Sequence, residues 1–237
     1  MKTNIITFTN VLGINDIYSP EPSSSLIPDW YKDISSYKNN IKGVDEDSLS
    51  TGTIKKCMPV FDSISMGYIL KLPADLFISK QIDKDGTSRT LYQWPSLDLV
   101  KFHSVDQAYN HPFRDNIKDW YPKIMNPWSI KTEAGYSCLF ISPMHRKLDI
   151  LIFPGVVDTD TYTAPVNFPF VLNDPNFSGL IPAGTPIAQV IPFKRETHIM
   201  KIGSDKEILD QERVTSLKNT RFFDSYKTFF RSKKEYK

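Results

Sequence analysis

The chain has 237 residues, of which 40% are hydrophobic and 24% are charged, and its formal net charge at pH 7 is +2. This length and composition predict a globular protein with its own hydrophobic core and argue against a largely disordered chain. The mild positive charge disfavours nucleic acid as a partner. No apolar run approaches the roughly 20 residues that a membrane-spanning helix requires, and the first residues lack the pattern of a secretory signal peptide. We therefore expect neither membrane insertion nor secretion.

The first part of the chain is predicted to combine strands with one short helix. A strand is expected at Ile5–Asn10, and Asp29 is expected to be the N-cap of a short helix. Two apolar runs between Ile54 and Leu72 are typical of two further strands. The clearest hairpin spans Leu76–Trp94, because Asp85-Gly86 supplies the positive φ angles of a tight turn.

Aromatic residues crowd the stretch from Trp94 to Trp128, which carries few other signals of regular structure. Rings in such a stretch usually cover the edge of a core or line a concave site. His103, Asp106 and His111 share this stretch and offer a weak pattern for an ion site. No paired Cys/His spacing of a structural metal site occurs, so no metal site is predicted.

A series of short apolar runs fills the stretch from Asn126 to Arg195. These runs are too short for helices and are separated by Pro, Gly, Asn and Asp, which is typical of strands in a compact β core. They are Tyr136–Ile141, Ile150–Phe153, Val166–Leu172 and Ile187–Phe193. We expect a single mainly-β domain over residues 1–203, with either a β-clip-like or a double-sheet barrel architecture.

The last part of the chain, residues 204–237, changes to a helical pattern. Five aromatic side chains have the three- and four-residue spacings of one helix face. They are Phe222, Phe223, Tyr226, Phe229 and Phe230. Two hypotheses remain open: a helix that packs on the body of the protein, or a helix whose aromatic face binds another subunit or a larger assembly.

Asp158 and Asp160 form the sharpest polar feature. Alternation along an extended segment would place both side chains on one face, where two carboxylates can hold a divalent ion or act as an acid and a base. In the alternative hypothesis, one carboxylate caps the turn after Gly155 and the other faces water.

The residues around this pair carry a resemblance to a known family. An apolar run at Ile150–Phe153, then Gly155, two apolar residues, Asp158, Asp160 and a nearby Tyr162, resembles the substrate-binding hairpin of the dUTPase and dCTP-deaminase superfamily. Residues 181–191 resemble the late strand of that superfamily, in which a glycine-containing turn leads into Ile-Ala-Gln.

That resemblance implies roles for particular residues. Asp158 would activate the attacking water and contact the sugar, Tyr162 would stack on the deoxyribose, and a magnesium ion would hold the phosphates. The chain departs from the pattern at Thr161, which separates Asp160 from the tyrosine, and at Ser142–Arg146, where the Ser-Gly phosphate-binding motif has no counterpart.

A second resemblance spans most of residues 27–196. The segments Ile27–Tyr31, Asn126–Trp128, Gly155–Asp160 and Pro186–Phe193 are together similar to an uncharacterised family found in tailed phages and some bacteria. This resemblance implies a phage or phage-like origin and carries no activity with it.

We therefore interpret the chain as a non-enzymatic structural or accessory phage protein that needs no cofactor. It would act in the host cytoplasm or in the virion, through contacts with copies of itself or with other phage proteins. The alternative is a divergent dUTPase-like enzyme that binds or hydrolyses nucleotides with Asp158, Asp160 and Mg²⁺.

Overall fold

The computed structural model describes residues 4–13, 17–46, 50–95, 98–112, 120–203, 210–216 and 224–236. Strands dominate these residues, which confirms the prediction of a mainly-β protein. In chain order the strands are β1 (Ile6–Asn10), β2 (Glu21–Pro22), β3 (Tyr68–Lys71), β4 (Leu76–Ile82), β5 (Ser88–Gln93), β6 (Val100–Ser104), β7 (Trp120–Ile124), β8 (Trp128–Thr132), β9 (Tyr136–Ile141), β10 (Ile150–Ile152), β11 (Gly155–Val157), β12 (Phe168–Leu172), β13 (Gly179–Ile181) and β14 (Pro186–Lys194). Two short α-helices, α1 (Asp29–Asp33) and α2 (Met58–Ser65), lie between β2 and β3.

Among the described residues, all strand pairs are antiparallel, and they form four sheets. The strand orders are β1-β8, β10-β12-β7-β6, β11-β9-β14-β3-β2 and β13-β4-β5. The described strands form no closed barrel. The finer choice between a β-clip-like and a double-sheet barrel architecture stays a prediction.

Contacts between residues divide the chain into two compact units. Unit 1, Met1–Ser23 with Gly67–Arg195, carries all four sheets. Unit 2, Ser24–Met66 with Glu196–Lys237, carries α1, α2 and the C-terminal segment. The predicted domains, residues 1–203 and 204–237, stay a prediction, and the two contact units divide at other residues.

The core of unit 1 is built from side chains on the inner faces of its strands. Leu70, Ile78, Phe140, Phe170 and Val190 come from five different strands and belong to one buried cluster, each at most 1% exposed. Burial of each such side chain contributes about 1.5–3 kcal/mol relative to its exposure to water. This shared core fixes the positions of the strands on which the candidate sites lie.

Several predicted elements are confirmed by the structure. The first strand is β1, the Leu76–Trp94 hairpin is the β4–β5 pair with Gly86 at φ +82°, and the second apolar run before Leu72 is β3. The apolar runs after Asn126 correspond to β9, β10, β12 and β14.

Two predictions about the segment between β2 and β3 need correction. The run that begins at Cys57 forms α2 rather than a strand, because Pro59 lies in the first turn, where its missing N–H is not needed, and Phe61 and Ile64 follow at helical spacing. The short helix α1 is present, but its N-cap is Pro28, and Asp29 is its first residue.

Candidate functional site

The turn that carries Asp158 and Asp160 follows directly after β11. It is not extended, because the backbone N–H groups of Thr161 and Tyr162 both donate to the Asp158 carbonyl, at 3.1 and 2.8 Å. Thr159, between the two aspartates, is fully buried, and its hydroxyl lies 2.8 Å from that of Thr132 and 3.3 Å from the Cys138 sulfur. The buried threonine anchors the turn in the core and leaves one aspartate on each side of it.

Asp160 is engaged in an ion pair. Its side chain is only 6% exposed and accepts hydrogen bonds from the backbone N–H of Gly135 at 2.8 Å and from both terminal nitrogens of Arg195, of which Nη1 lies at 2.9 Å. The Arg195 guanidinium and the Gly135 N–H lower the pKa of Asp160 to about 2. A carboxylate held in this way is a poor general base at neutral pH.

Asp158 shares the same arginine but remains open to solvent. Its side chain is 61% exposed, accepts a hydrogen bond from the Ser137 hydroxyl at 2.6 Å, and lies 3.3 Å from Nη1 of Arg195. The structure therefore brings Asp158 and Asp160 close together, and the Arg195 guanidinium contacts both carboxylates.

Arg195 is the member of this cluster that the sequence analysis missed. It follows β14, and the register of β14 on β9 places Lys194 opposite Tyr136. From there the guanidinium also donates to the Tyr136 carbonyl at 2.9 Å, and the Arg195 N–H donates to the Gly135 carbonyl at 2.8 Å. The only sequence signal was a basic residue at the end of a predicted strand, and its partner depends on strand register.

The cluster does not fit the magnesium ion implied by the enzyme hypothesis. A divalent cation between the two carboxylates would face the Arg195 guanidinium, and like charges repel. Among the described residues, no group of three or more His, Cys, Asp or Glu side chains could hold a metal ion.

Tyr162 lies at the end of the same turn, in unit 1. Its side chain is about half exposed, and its position is fixed by the backbone hydrogen bond to Asp158. The side chain is thus accessible to solvent.

Two histidines of the aromatic stretch pack in a stack with Tyr121 of β7 and Phe153, which follows β10. His103 lies on Tyr121 with ring centroids 5.1 Å apart, Tyr121 lies 5.9 Å from Phe153, and His111 lies on Phe153 at 4.4 Å. The Nδ1 atom of His103 is 2.7 Å from the Gln107 side-chain oxygen. The two histidines thus pack on aromatic rings that border a small buried cluster, as expected for rings that cover a core.

The C-terminal aromatic residues belong to unit 2. Phe222 and Phe223 lie outside the described residues, whereas Tyr226, Phe229 and Phe230 lie in a π-helical turn, Tyr226–Phe230. Tyr226 and Phe229 are exposed, and Phe230 is partly buried. Residues 210–216 are also helical, which agrees with the predicted helical character of this segment.

Ion pairs hold this segment to the rest of unit 2. The buried Asp62 of α2 accepts hydrogen bonds from Arg231 Nη2 and Lys234 Nζ, each at 2.6 Å, and Lys56 pairs with Asp224 at 2.7 Å. The two cations lower the pKa of Asp62 to about 2, against the opposing effect of its burial. The segment therefore packs within unit 2 while part of its aromatic face stays exposed, and both hypotheses about it keep some support.

A row of exposed apolar side chains crosses the sheet β13-β4-β5. Leu180 of β13 lies directly opposite Phe77 of β4, and Leu91 of β5 lies opposite Ser79, two residues further along β4 on the same face. These three side chains are 53%, 43% and 38% exposed, in the order Leu180, Phe77 and Leu91. We call the surface formed by Leu180, Phe77 and Leu91 the outer apolar row.

The sequence matches no protein-family model and no curated protein. Among the described residues, no helix is both long enough and apolar enough to cross a membrane.

Proposed function

We propose that this chain is a non-enzymatic structural or accessory protein of phage type, which acts in the host cytoplasm or the virion through protein–protein contacts. The outer apolar row is the single observation that carries this proposal. Its three side chains come from three neighbouring strands, and the folded sheet brings Leu180 of β13 next to the β4–β5 hairpin, which is distant from it in the sequence.

The opposite face of the same sheet makes the row a rigid surface. Leu76 and Ile78 of β4 and Ile181 of β13 point into the core and are at most 1% exposed. The exposed side chains thus cannot turn inward, because the positions beneath them are filled. A contiguous apolar surface on a rigid sheet is typical of a site that binds another protein.

The cluster around Arg195 supports the same proposal from the chemical side. Asp160 is saturated by an arginine and a backbone N–H, and this arrangement stabilises the turn after β11 rather than preparing a base. The exposed Asp158 and Tyr162 are the observations that keep the dUTPase-like enzyme as a second candidate, since both remain open to a ligand from solvent.

Site-specific photo-crosslinking tests the proposed function. A photoreactive phenylalanine analogue at position 77 should crosslink to protein in cells that produce the chain naturally, and Leu180→Asp in the same chain should abolish these crosslinks. The analogue at Lys84 is the control, because Lys84 is exposed in the turn between β4 and β5 and lies beyond the end of the row. Equal crosslinking from both positions would remove the support of the outer apolar row.

A thermal-shift screen separates the two candidates. Deoxynucleotides with and without magnesium should leave the unfolding temperature unchanged, since a ligand raises it only when it binds the folded state. A magnesium-dependent increase with one nucleotide, lost in Asp158→Ala, would instead establish the enzyme candidate.

A further inference from the structure

The strand β5 forms an open edge of the sheet β13-β4-β5. At six residues it is the longest strand at any sheet edge in the described part of unit 1, where the other edge strands have two to five residues. It contains neither Pro nor Lys, the residues that commonly block pairing at an edge. Its one charge, on Arg89, is paired with Asp83.

The hairpin determines which backbone groups of β5 face this edge. The N–H of Asp83 donates to the carbonyl of Thr87 at 2.8 Å, so Asp83 and Thr87 form a hydrogen-bonded pair. From this pair onward, non-hydrogen-bonded and hydrogen-bonded pairs alternate along the two strands. Arg89, Leu91 and Gln93 therefore point their backbone groups at β4. Thr90 and Tyr92 point theirs at the open edge, where the described residues provide no backbone partner.

We propose that β5 pairs antiparallel with β5 of a second copy of this chain, with Leu91 opposite Leu91 of the second copy on a twofold axis. This inference rests on the proposed function and identifies the partner that the sheet β13-β4-β5 would bind. In this register Thr90 forms a hydrogen-bonded pair with Tyr92 of the second copy. Leu91 occupies a non-hydrogen-bonded pair, in which the Cα atoms lie about 4.5 Å apart and the side chains touch.

The side chains of β5 are self-complementary in this register. Arg89 lies opposite the neutral Gln93 of the second copy, Thr90 opposite Tyr92, and Leu91 opposite itself. None of these pairs places like charges opposite one another, and a β-branched residue opposite an aromatic residue is a favourable cross-strand pair. A register centred on Arg89 would place two guanidinium groups against each other, and one centred on Thr90 would place Arg89 against Leu91. Of these three registers, only the Leu91-centred one keeps Arg89 away from both a second guanidinium and an apolar side chain, and this self-complementarity supports a second copy as the partner.

Pairing at this edge would join the outer apolar rows of the two copies. The row would run through Leu180, Phe77 and Leu91 of one copy into the same residues of the other. Growth would stop at a dimer, because the far edge of each sheet is β13, which has only three residues.

A charge-swap experiment tests this register. Because Leu91 is exposed on the outer face, Leu91→Lys and Leu91→Glu should both fold, but each places like charges opposite one another on the axis. Like-charge contact costs several kcal/mol, so each variant alone should dimerise about 100-fold more weakly than the wild type in sedimentation experiments. An equimolar mixture of the two variants should recover dimers, because Lys then faces Glu.

A second pair of variants tests the hydrogen bonds of the edge. Thr90→Pro removes the outward N–H without removing a bond to β4 and should abolish the dimer. Thr90→Ala is the matched control, because it also loses the contact of the Thr90 hydroxyl with Lys80, at 2.7 Å, but keeps the N–H. Circular dichroism should show that both variants retain the sheet.

The outcomes separate this inference from the proposed function. A wild-type chain that stays monomeric up to about 1 mM, the range of weak association, would overturn the β5 pairing. The pairing would also be overturned if the wild-type chain dimerised but an equimolar mixture of Leu91→Lys and Leu91→Glu did not. Crosslinks from position 77 would in either case still support protein contacts, whereas magnesium-dependent nucleotide binding would remove the proposed function and leave the pairing to be judged by sedimentation.

Discussion

Replacement of Gly67 by alanine should destabilise unit 1 severely. Gly67 precedes β3 with φ at +72°, and its carbonyl accepts a hydrogen bond from the Ser23 N–H at 2.9 Å. A Cβ atom at this position would lie 2.1 Å from the carbonyl oxygen of Val190 and 3.0 Å from its carbonyl carbon. Both are backbone atoms of β14, the central strand of the five-stranded sheet, so no side-chain rotation can relieve the overlap.

Two contributions set the magnitude. A left-handed backbone conformation costs an alanine about 1–2 kcal/mol, and a backbone shift forced by overpacking costs about 1–3 kcal/mol more. The total, about 2–5 kcal/mol, is a large part of the 5–15 kcal/mol that stabilises a typical domain. Gly86→Ala is the matched control, because Gly86 has φ at +82° but no atom within 4 Å of its Cβ position, so only the first contribution applies.

Urea denaturation followed by tryptophan fluorescence measures the difference. Both variants should unfold with the wild-type slope, and the midpoint of Gly67→Ala should be clearly below that of Gly86→Ala. Equal midpoints would show that β14 does not approach Gly67 as closely as the structure has it, and the reasoning about this sheet would then be refuted.

Three further predictions concern ionisable groups and thiols. Because the folded-state pKa of Asp62 is lowered to about 2 from an ordinary value near 3.8, its ion pairs should stabilise unit 2 above about pH 4 and be lost as the pH falls towards 2; Asp62→Asn should mimic this loss at neutral pH, seen as faster hydrogen exchange in residues 231–236. Asp160→Asn should lower the urea midpoint more than Asp158→Asn, because only the former side chain is buried against its partners; the reverse order would contradict the assigned ion pair. Cys57 is exposed and should react with a thiol reagent in the native protein, whereas Cys138, whose pKa is raised by burial, should react only after denaturation.

Local chemistry made part of the fold predictable. The β4–β5 hairpin follows from Asp85-Gly86, because the turn requires a positive φ that few residues adopt, and the structure has Gly86 at +82°. The strand at Tyr136–Ile141 was predicted with the bounds that β9 has, since both of its ends are marked by turn residues. Signals of this kind are contained within a few neighbouring residues.

Other features depend on residues far apart in the sequence. The run at Met58–Ser65 is apolar enough for a strand, and its local helix signals are supported by packing within unit 2, where Asp62 binds two cations of the C-terminal segment. The pairing of Asp160 with Arg195 depends on the register of β14 on β9, because the two residues are separated by 35 positions in the chain. A pattern of two aspartates near a turn therefore predicted their proximity but not the arginine that determines their chemistry.

The outer apolar row differs from what the sequence of β4 alone predicts. Leu76, Phe77 and Ile78 form a continuous apolar run, which is typical of a strand covered on both faces. In the structure the core covers only the face of Leu76 and Ile78, and Phe77 remains exposed. The sequence of β4 thus encodes more burial than the isolated chain provides. Since exposed apolar surface on a rigid sheet is unfavourable in water, this difference supports the proposal that another protein binds the outer apolar row.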